Sequence, residues 1–310
     1  EEFIDDIVRF VPWYKWIHYE AIHETISPNK MYDIEIKELL RNIFHDIKAE
    51  AFKPFVLGLL EYHQQGVENC FLDDAKLIEI LSTVRSYLIR RRTLGLSQGE
   101  NKNIVLLCDR IPKLAQSEIT MFDLLSNQYY KMRFPNDKEL ADRLRTMDFY
   151  NDLKKYSKFI LGKIEAHNNK QFTNFRDSKI TIERIIPQNL SNSWKHELGA
   201  EFELIHKEYL NNIGNLILTE FNEEMGTKTF SEKKENLKIS NLHYRTFIIS
   251  KSGWSEPEIK EHKEKMINWF LETFPLPSNY KFKDNWNTSF TEKINFSPLD
   301  EEAGDFSEGN

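Results

Sequence analysis

A chain of 310 residues is long enough for two domains of ordinary size. With 40% hydrophobic and 13% aromatic residues it can bury a core, which excludes wholesale disorder, and 22 Phe against 11 Gly and 10 Pro favour helices over a turn-rich β architecture. Of the net charge of −7, five charges belong to Asp300, Glu301, Glu302, Asp305 and Glu308, so the rest of the chain is nearly balanced and any nucleic-acid site must be a local basic patch.

The two cysteines, Cys70 and Cys108, are far apart and lack metal-ligand spacing. Free thiols in a reducing compartment, and hence a cytoplasmic location, are the simplest expectation. No apolar run approaches the length of a membrane span. The start, Glu1-Glu2-Phe3-Ile4, has no signal-peptide pattern and no initiator Met. Phe3, Ile4 and Ile7 already look like core positions, so a piece of a longer protein is expected.

In chain order, Ile36, Leu39, Leu40, Ile43 and Ile47 fall at helical spacing. Pro54 suits a first helical turn, and Gly66 follows the apolar run behind it. Asp73 and Asp74 are candidate caps for a helix with the stripe Leu77, Ile80, Leu81, Val84 and Leu88. Arg85, Arg90, Arg91 and Arg92 form the clearest basic cluster; an exposed, charged helix end is the favoured reading over DNA contact. Phe134-Pro135-Asn136-Asp137 is a turn signal before another helical pattern. Leu153, Tyr156, Ile160 and Ile164 mark a further helix, which ends in the polar stretch Asn168–Arg176.

There the texture changes. Ile180–Pro187 is β-branched and alternating, which predicts a strand. Phe202–Leu210 reads as a helix, Ile213–Thr219 as a turn and second strand, and Phe230–Lys238 as a charged helix. Ser255 three residues before Glu258 is a capping-box signal for the last long helix, with Ile259, Met266 and Phe270 on one side. From Asn287 onward the chain is polar and acidic and is expected to be loose. Internal repeats and phosphate-cradling Gly-rich loops are not found.

The order strand, long loop, short strand, helix is informative. A ββα hairpin of this kind can hold one metal ion between its first strand and its helix. Phosphodiester hydrolysis needs a Lewis acid on the phosphate, a water activated by a base, and help for the leaving oxygen. A Mg²⁺ held by oxygen ligands suits the first and last of these tasks. Glu183 can supply a carboxylate from the first strand, and Asn222 an amide oxygen from just after the second.

Thr181-Ile182-Glu183-Arg184-Ile185-Ile186-Pro187-Gln188, then Ile213-Gly214-Asn215-Leu216-Ile217-Leu218, then Asn222 and Phe230…Lys233-Lys234, resembles the C-terminal HNH domain of GmrSD-type restriction endonucleases. The preceding segments Ser86–Arg91, Phe134–Asp137 and Asp148-Phe149-Tyr150 are similar to the helical region before that domain. The resemblance implies a modification-dependent, anti-phage nuclease acting on double-stranded DNA with Mg²⁺ or Mn²⁺. It implies metal ligands at Glu183 and Asn222, a bracing role for Asn215, and Lys233 and Lys234 near phosphates. It also implies an N-terminal nucleotide-binding domain, on the same protein or on a partner subunit; self-association is left open, and no membrane partner is expected.

One position departs from the pattern. The general base, a histidine in the family, falls on Arg184. Arginine stays protonated and has no acceptor site, so it cannot take a proton from water. A positioned base is worth roughly 10²–10⁴ in rate. Cleavage is therefore expected to be weak or absent, whether the arginine is introduced or native. The alternative is a non-catalytic DNA-binding or assembly module on a degenerate HNH scaffold.

Plainer readings exist for each residue. Glu183 and Arg184 suit a strand-end ion pair, Asn215 a turn, Asn222 a cap, and Lys233 and Lys234 a solvated helix face. His196, His206 and His243 suit packing or surface roles, and Trp194, Trp254 and Trp269 suit core anchors. His18 and His23, five apart, do not share a helical face. The expected architecture is mainly α: a helical domain over residues 1–170, a small ββα-metal (HNH) nuclease module with C-terminal helices over 171–286, and an acidic tail over 287–310.

Overall fold

The apolar stripes of the first half become the buried faces of helices. In the computed structural model the described residues are 8, 10, 11, 13–15, 17, 18, 34–65, 72–96, 104, 106–126, 133–169 and 174–277. Phe3, Ile4, Ile7, His23, Gly66, Cys70 and everything from Asn287 lie outside them. Helix α1 (Ile34–Arg41) turns Ile36, Leu39 and Leu40 inward. It continues as a π-helical turn, Asn42–Asp46, which buries Ile43 and Phe44. A 3₁₀ turn, Glu50–Phe52, leads into α2 (Lys53–Gln65), with Pro54 in the first turn, where its missing N–H leaves no bond unmade. Asp73 caps α3 (Asp74–Thr93), accepting from the Lys76 amide at 2.7 Å. All five residues of the expected α3 stripe are fully buried.

Short helices α4 (Ile111–Ala115) and α5 (Met121–Ser126) follow. Asn136 and Glu139 form a capping box at the start of α6 (Asp137–Thr146). Asp148 caps α7 (Phe149–Asp152), and α8 (Ser157–Asn168) comes next. Leu153 and Tyr156 belong to the turn before α8, because the Tyr156 and Ser157 amides both donate to the Leu153 carbonyl at 2.7 Å.

The arginine cluster on α3 is not an exposed helix end. Arg90 and Arg91 are fully buried. Arg90 donates to the carbonyls of Pro135 at 3.0 Å and Phe274 at 2.7 Å and pairs with Asp137. Arg91 donates to the Arg133 carbonyl at 3.0 Å, and Arg85 to that of Thr273 at 3.4 Å. These guanidinium groups satisfy chain carbonyls that converge on α3, which is how a permanent charge is tolerated inside.

The second half runs β1 (Thr181–Arg184), α9 (Asn192–Leu198), α10 (Phe202–Tyr209), a 3₁₀ turn at Ile213–Asn215, and β2 (Leu216–Thr219). Then come α11 (Asn222–Met225), α12 (Phe230–Lys238), α13 (Arg245–Ile249) and α14 (Glu256–Thr273). The strands pair antiparallel, with Glu183 opposite Ile217 and Arg184 opposite Leu216. β1 is shorter than the alternating pattern predicts. Ile185 and Ile186 leave the ladder and bond to Asn215 instead.

Helix α14 begins at the expected Ser255–Glu258 capping box and buries Ile259, Met266 and Phe270. It lies across the turn at 213–215, where a Cβ on Gly214 would sit 2.7 Å from the Ile259 carbonyl oxygen. It also packs on α6 and α8; Glu264 receives two bonds from Arg145, each 2.9 Å. Trp194, Trp254 and Trp269 are buried anchors, as the sequence predicts. The described residues all fall in one compact unit, Glu1–Pro277, which is mainly helical with a two-stranded sheet. Among them, no helix is long and apolar enough to cross a membrane.

Candidate functional site

The short sheet presents Glu183 and Arg184 to different neighbours, since successive strand residues point to opposite faces. Glu183 is 6% exposed and meets α12. There Lys233 places its ammonium 2.5 Å from the Glu183 carboxylate and 2.7 Å from the Arg184 carbonyl oxygen. The Lys233 side chain is fully buried. Helix α12 is fixed by a capping box between Thr229 and Glu232, and by Phe230 stacked 5.6 Å from Trp254. Burial pushes the Glu183 carboxyl up and the Lys233 ammonium down, and each opposes the other's shift through its own charge.

Arg184 is held on the other side. Its Nε and Nη2 donate to Asn211 Oδ1 at 3.0 and 2.9 Å, and its guanidinium lies over the Tyr150 ring. Asn211 in turn donates to Asp148 at 3.0 Å and accepts the Tyr150 amide on its carbonyl at 3.1 Å. Partial burial works against the Asp148 charge, but bonds from Asn151 and Asn211 and the charge of Arg184 hold its carboxyl below the ordinary range. Asn211 and the Asp148-Phe149-Tyr150 segment together thus form the seat of Arg184.

Asn215 is fully buried and braces the loop on all sides. Its Oδ1 accepts from the Ile186 amide at 2.8 Å and from the Trp254 indole at 3.4 Å. Its Nδ2 donates to the carbonyls of Ile186 and Leu210, both at 3.1 Å. Sequence reasoning overlooked His262, whose Nδ1 donates to the Gly214 carbonyl at 2.8 Å. The signal was present: His262 falls on the buried stripe of Ile259 and Met266. It stacks on Phe247 at 5.1 Å, and complete burial lowers its pKa to about 4. The ring is neutral, with Nε2 unpaired among aromatic side chains.

Asn222 heads α11 and donates through Nδ2 to Thr181 Oγ1 at 2.9 Å and to the Ile182 carbonyl at 3.0 Å. Oδ1 is the ligand atom it has to offer. Lys234 is partly exposed, donates to the Lys251 carbonyl and lies 5.6 Å over the Phe230 ring. His206 contacts the Pro187 carbonyl at 3.0 Å, His243 packs on Trp269, and His196 is exposed. The structure therefore brings Glu183 and Lys233 together and draws Arg184 towards Asn211 and Tyr150.

This donor set does not fit a hard divalent ion. Glu183 is already neutralised by a buried ammonium, and a second cation on the same carboxylate meets direct repulsion. Asn222 adds one neutral oxygen, and among the described residues no three His, Cys, Asp or Glu side chains converge. Mg²⁺ requires near-octahedral oxygen coordination, anchored by carboxylates free to bind it.

Residues 134–269 match the family described as GmrSD restriction endonucleases, C-terminal domain. This segment is similar to GmrSD C-terminal domains. It opens beside the α6 capping box and ends inside α14, so Tyr150, Glu183, Arg184, Asn211, Asn215, Asn222, Lys233 and His262 all lie within the segment that matches the GmrSD model. No curated protein matches the chain.

Proposed function

We propose that this chain engages double-stranded DNA through a GmrSD-type, HNH-like module and cuts it weakly or not at all. The observation that carries the reading is the seat of Arg184, which fills the family's general-base position with a cation bonded to Asn211 and stacked on Tyr150. An arginine so placed has no lone pair for a water proton. The neutralised Glu183 supports the same reading. The match to the GmrSD model supports DNA as the partner, in a modification-dependent restriction system with an N-terminal nucleotide-binding domain on the same protein or on another subunit.

A second reading is a latent HNH endonuclease in which Arg184 alone blocks cleavage. The intact bracing of Asn215 favours it, because the loop that shapes the site is fully built. A supercoiled-plasmid nicking assay with Mg²⁺ or Mn²⁺, run beside a low-salt gel shift, separates the two. The first reading expects retarded DNA, little or no nicking by the chain, and no gain in nicking by Arg184→His. Nicking gained by Arg184→His establishes the latent nuclease, and no retardation at low salt removes DNA from both.

A further inference from the structure

The buried Lys233–Glu183 pair lies where the family resemblance expects a divalent ion. Lys233 is not a surface lysine folded inward: its side chain is fully enclosed, its Nζ has two oxygen partners at 2.5 and 2.7 Å, and its helix is fixed at the start by a reciprocal capping box. A buried carboxylate without a counter-cation is costly, and a buried ammonium without an anion equally so, so each group holds the other in place. Arg184 adds a second positive charge acting on the same carboxylate.

We infer that Lys233 is the resident cation of this site, taking the position beside Glu183 that a divalent metal would need and making the site metal-independent. The inference deepens the reading of a non-cutting module, and it rests on that reading for its functional meaning; the charge arrangement itself stands on the Glu183 geometry alone. The ammonium supplies charge neutralisation and two fixed hydrogen bonds. It supplies no exchangeable coordination position, so it cannot present a metal-bound water or polarise a phosphate as a metal ion does.

The test counts bound Mn²⁺ by the loss of the free-ion electron paramagnetic resonance signal, on the full chain, with circular dichroism to verify folding. The unaltered chain and Glu183→Gln are expected to take up the same amount of Mn²⁺; uptake by the carboxylates at 300–308 cancels in that difference. Lys233→Met is expected to bind one additional Mn²⁺, lost again in Lys233→Met combined with Glu183→Gln. Lys233→Arg, which keeps the charge, is expected to remain like the unaltered chain. An additional Mn²⁺ on the unaltered chain that Glu183→Gln abolishes overturns the inference. So does a folded Lys233→Met that gains none. If the Met and Gln variants fail to fold, the melting temperature of the unaltered chain decides: no rise with millimolar Mn²⁺ supports the inference, and a rise of several degrees overturns it. None of these readouts uses DNA, so a failed gel shift sinks the functional reading and leaves this result intact.

Discussion

The guanidinium of Arg184 lies 4.2 Å from the centroid of the Tyr150 ring, while Asn211, whose carbonyl holds the Tyr150 amide, binds the same guanidinium. Stacking by Tyr150 and hydrogen bonding by Asn211 thus act on one cation from two segments, which the Tyr150 amide–Asn211 carbonyl bond ties together. A double-mutant cycle with Arg184→Ala and Tyr150→Phe or Tyr150→Ala, followed by urea unfolding, measures this. Coupling of about 0.5–1 kcal/mol is expected with Ala and little with Phe, because the ring face carries the interaction. Zero coupling with Ala means that the arginine sits there without being held.

Asn215→Ala is expected to destabilise the chain by about 2–4 kcal/mol in equilibrium denaturation. Removing the amide strands the Ile186 amide and carbonyl in the interior, and each orphaned group costs about 1–3 kcal/mol. Asn215→Asp keeps an acceptor but buries an unpaired carboxylate against the Ile186 and Leu210 carbonyls, so a loss at least as large is expected.

His262 sets an acid limit. Its folded pKa is depressed to about 4 by burial, with Lys265 adding to the depression and Glu261 opposing it, whereas the unfolded imidazole titrates near 6.5. The unfolded chain therefore binds the proton first. The contribution is complete above about pH 6.5 and is lost as pH falls toward 4, by about 3 kcal/mol. Unfolding free energies measured across that window should fall for the unaltered chain, and less steeply for His262→Gln, which can still donate to the Gly214 carbonyl. Parallel slopes for the two proteins rule out His262 as the titrating group.

Gly214→Ala is expected to lower the melting temperature. A methyl group there sits 2.7 Å from both the Ile259 carbonyl oxygen and the Lys263 Cβ, so α14 must shift on its turn. Overpacking of this kind costs about 1–3 kcal/mol. An unchanged melting temperature would show that α14 yields freely.

DNA retention, if the non-cutting reading holds, should survive EDTA and fall steeply with salt. Phosphate contacts release counterions, so the logarithm of affinity should decline linearly with the logarithm of salt. Loss of binding in EDTA at constant ionic strength contradicts a metal-independent site.

Local rules made much of this fold legible. Capping residues at Asp73 and Ser255 and the turn signal at Phe134–Asp137 marked helix starts that the structure places there, and the stripe from Leu77 to Leu88 is buried as its spacing required. Long-range electrostatics were not legible. Arg90 looks like a surface charge because its carbonyl partners, Pro135 and Phe274, lie 45 and 184 residues away. Lys233 looks like a solvated face because Glu183 is 50 residues distant. At the candidate site, the residue types could be named from the sequence. Their pairing could not, since β1 and α12 meet only after the chain between them has folded back.

The arginines of α3 bear on where the folding unit ends. Arg85 and Arg90 hold the carbonyls of Thr273 and Phe274, just past the end of the matched segment. Cutting the chain at 134 and 269 would sever the last turn of α14 and abandon two guanidinium-filled sockets. The portable unit is therefore larger than the recognisable one. A shorter chain that keeps the matched segment must carry α3 with it, or supply fresh donors for the terminal carbonyls.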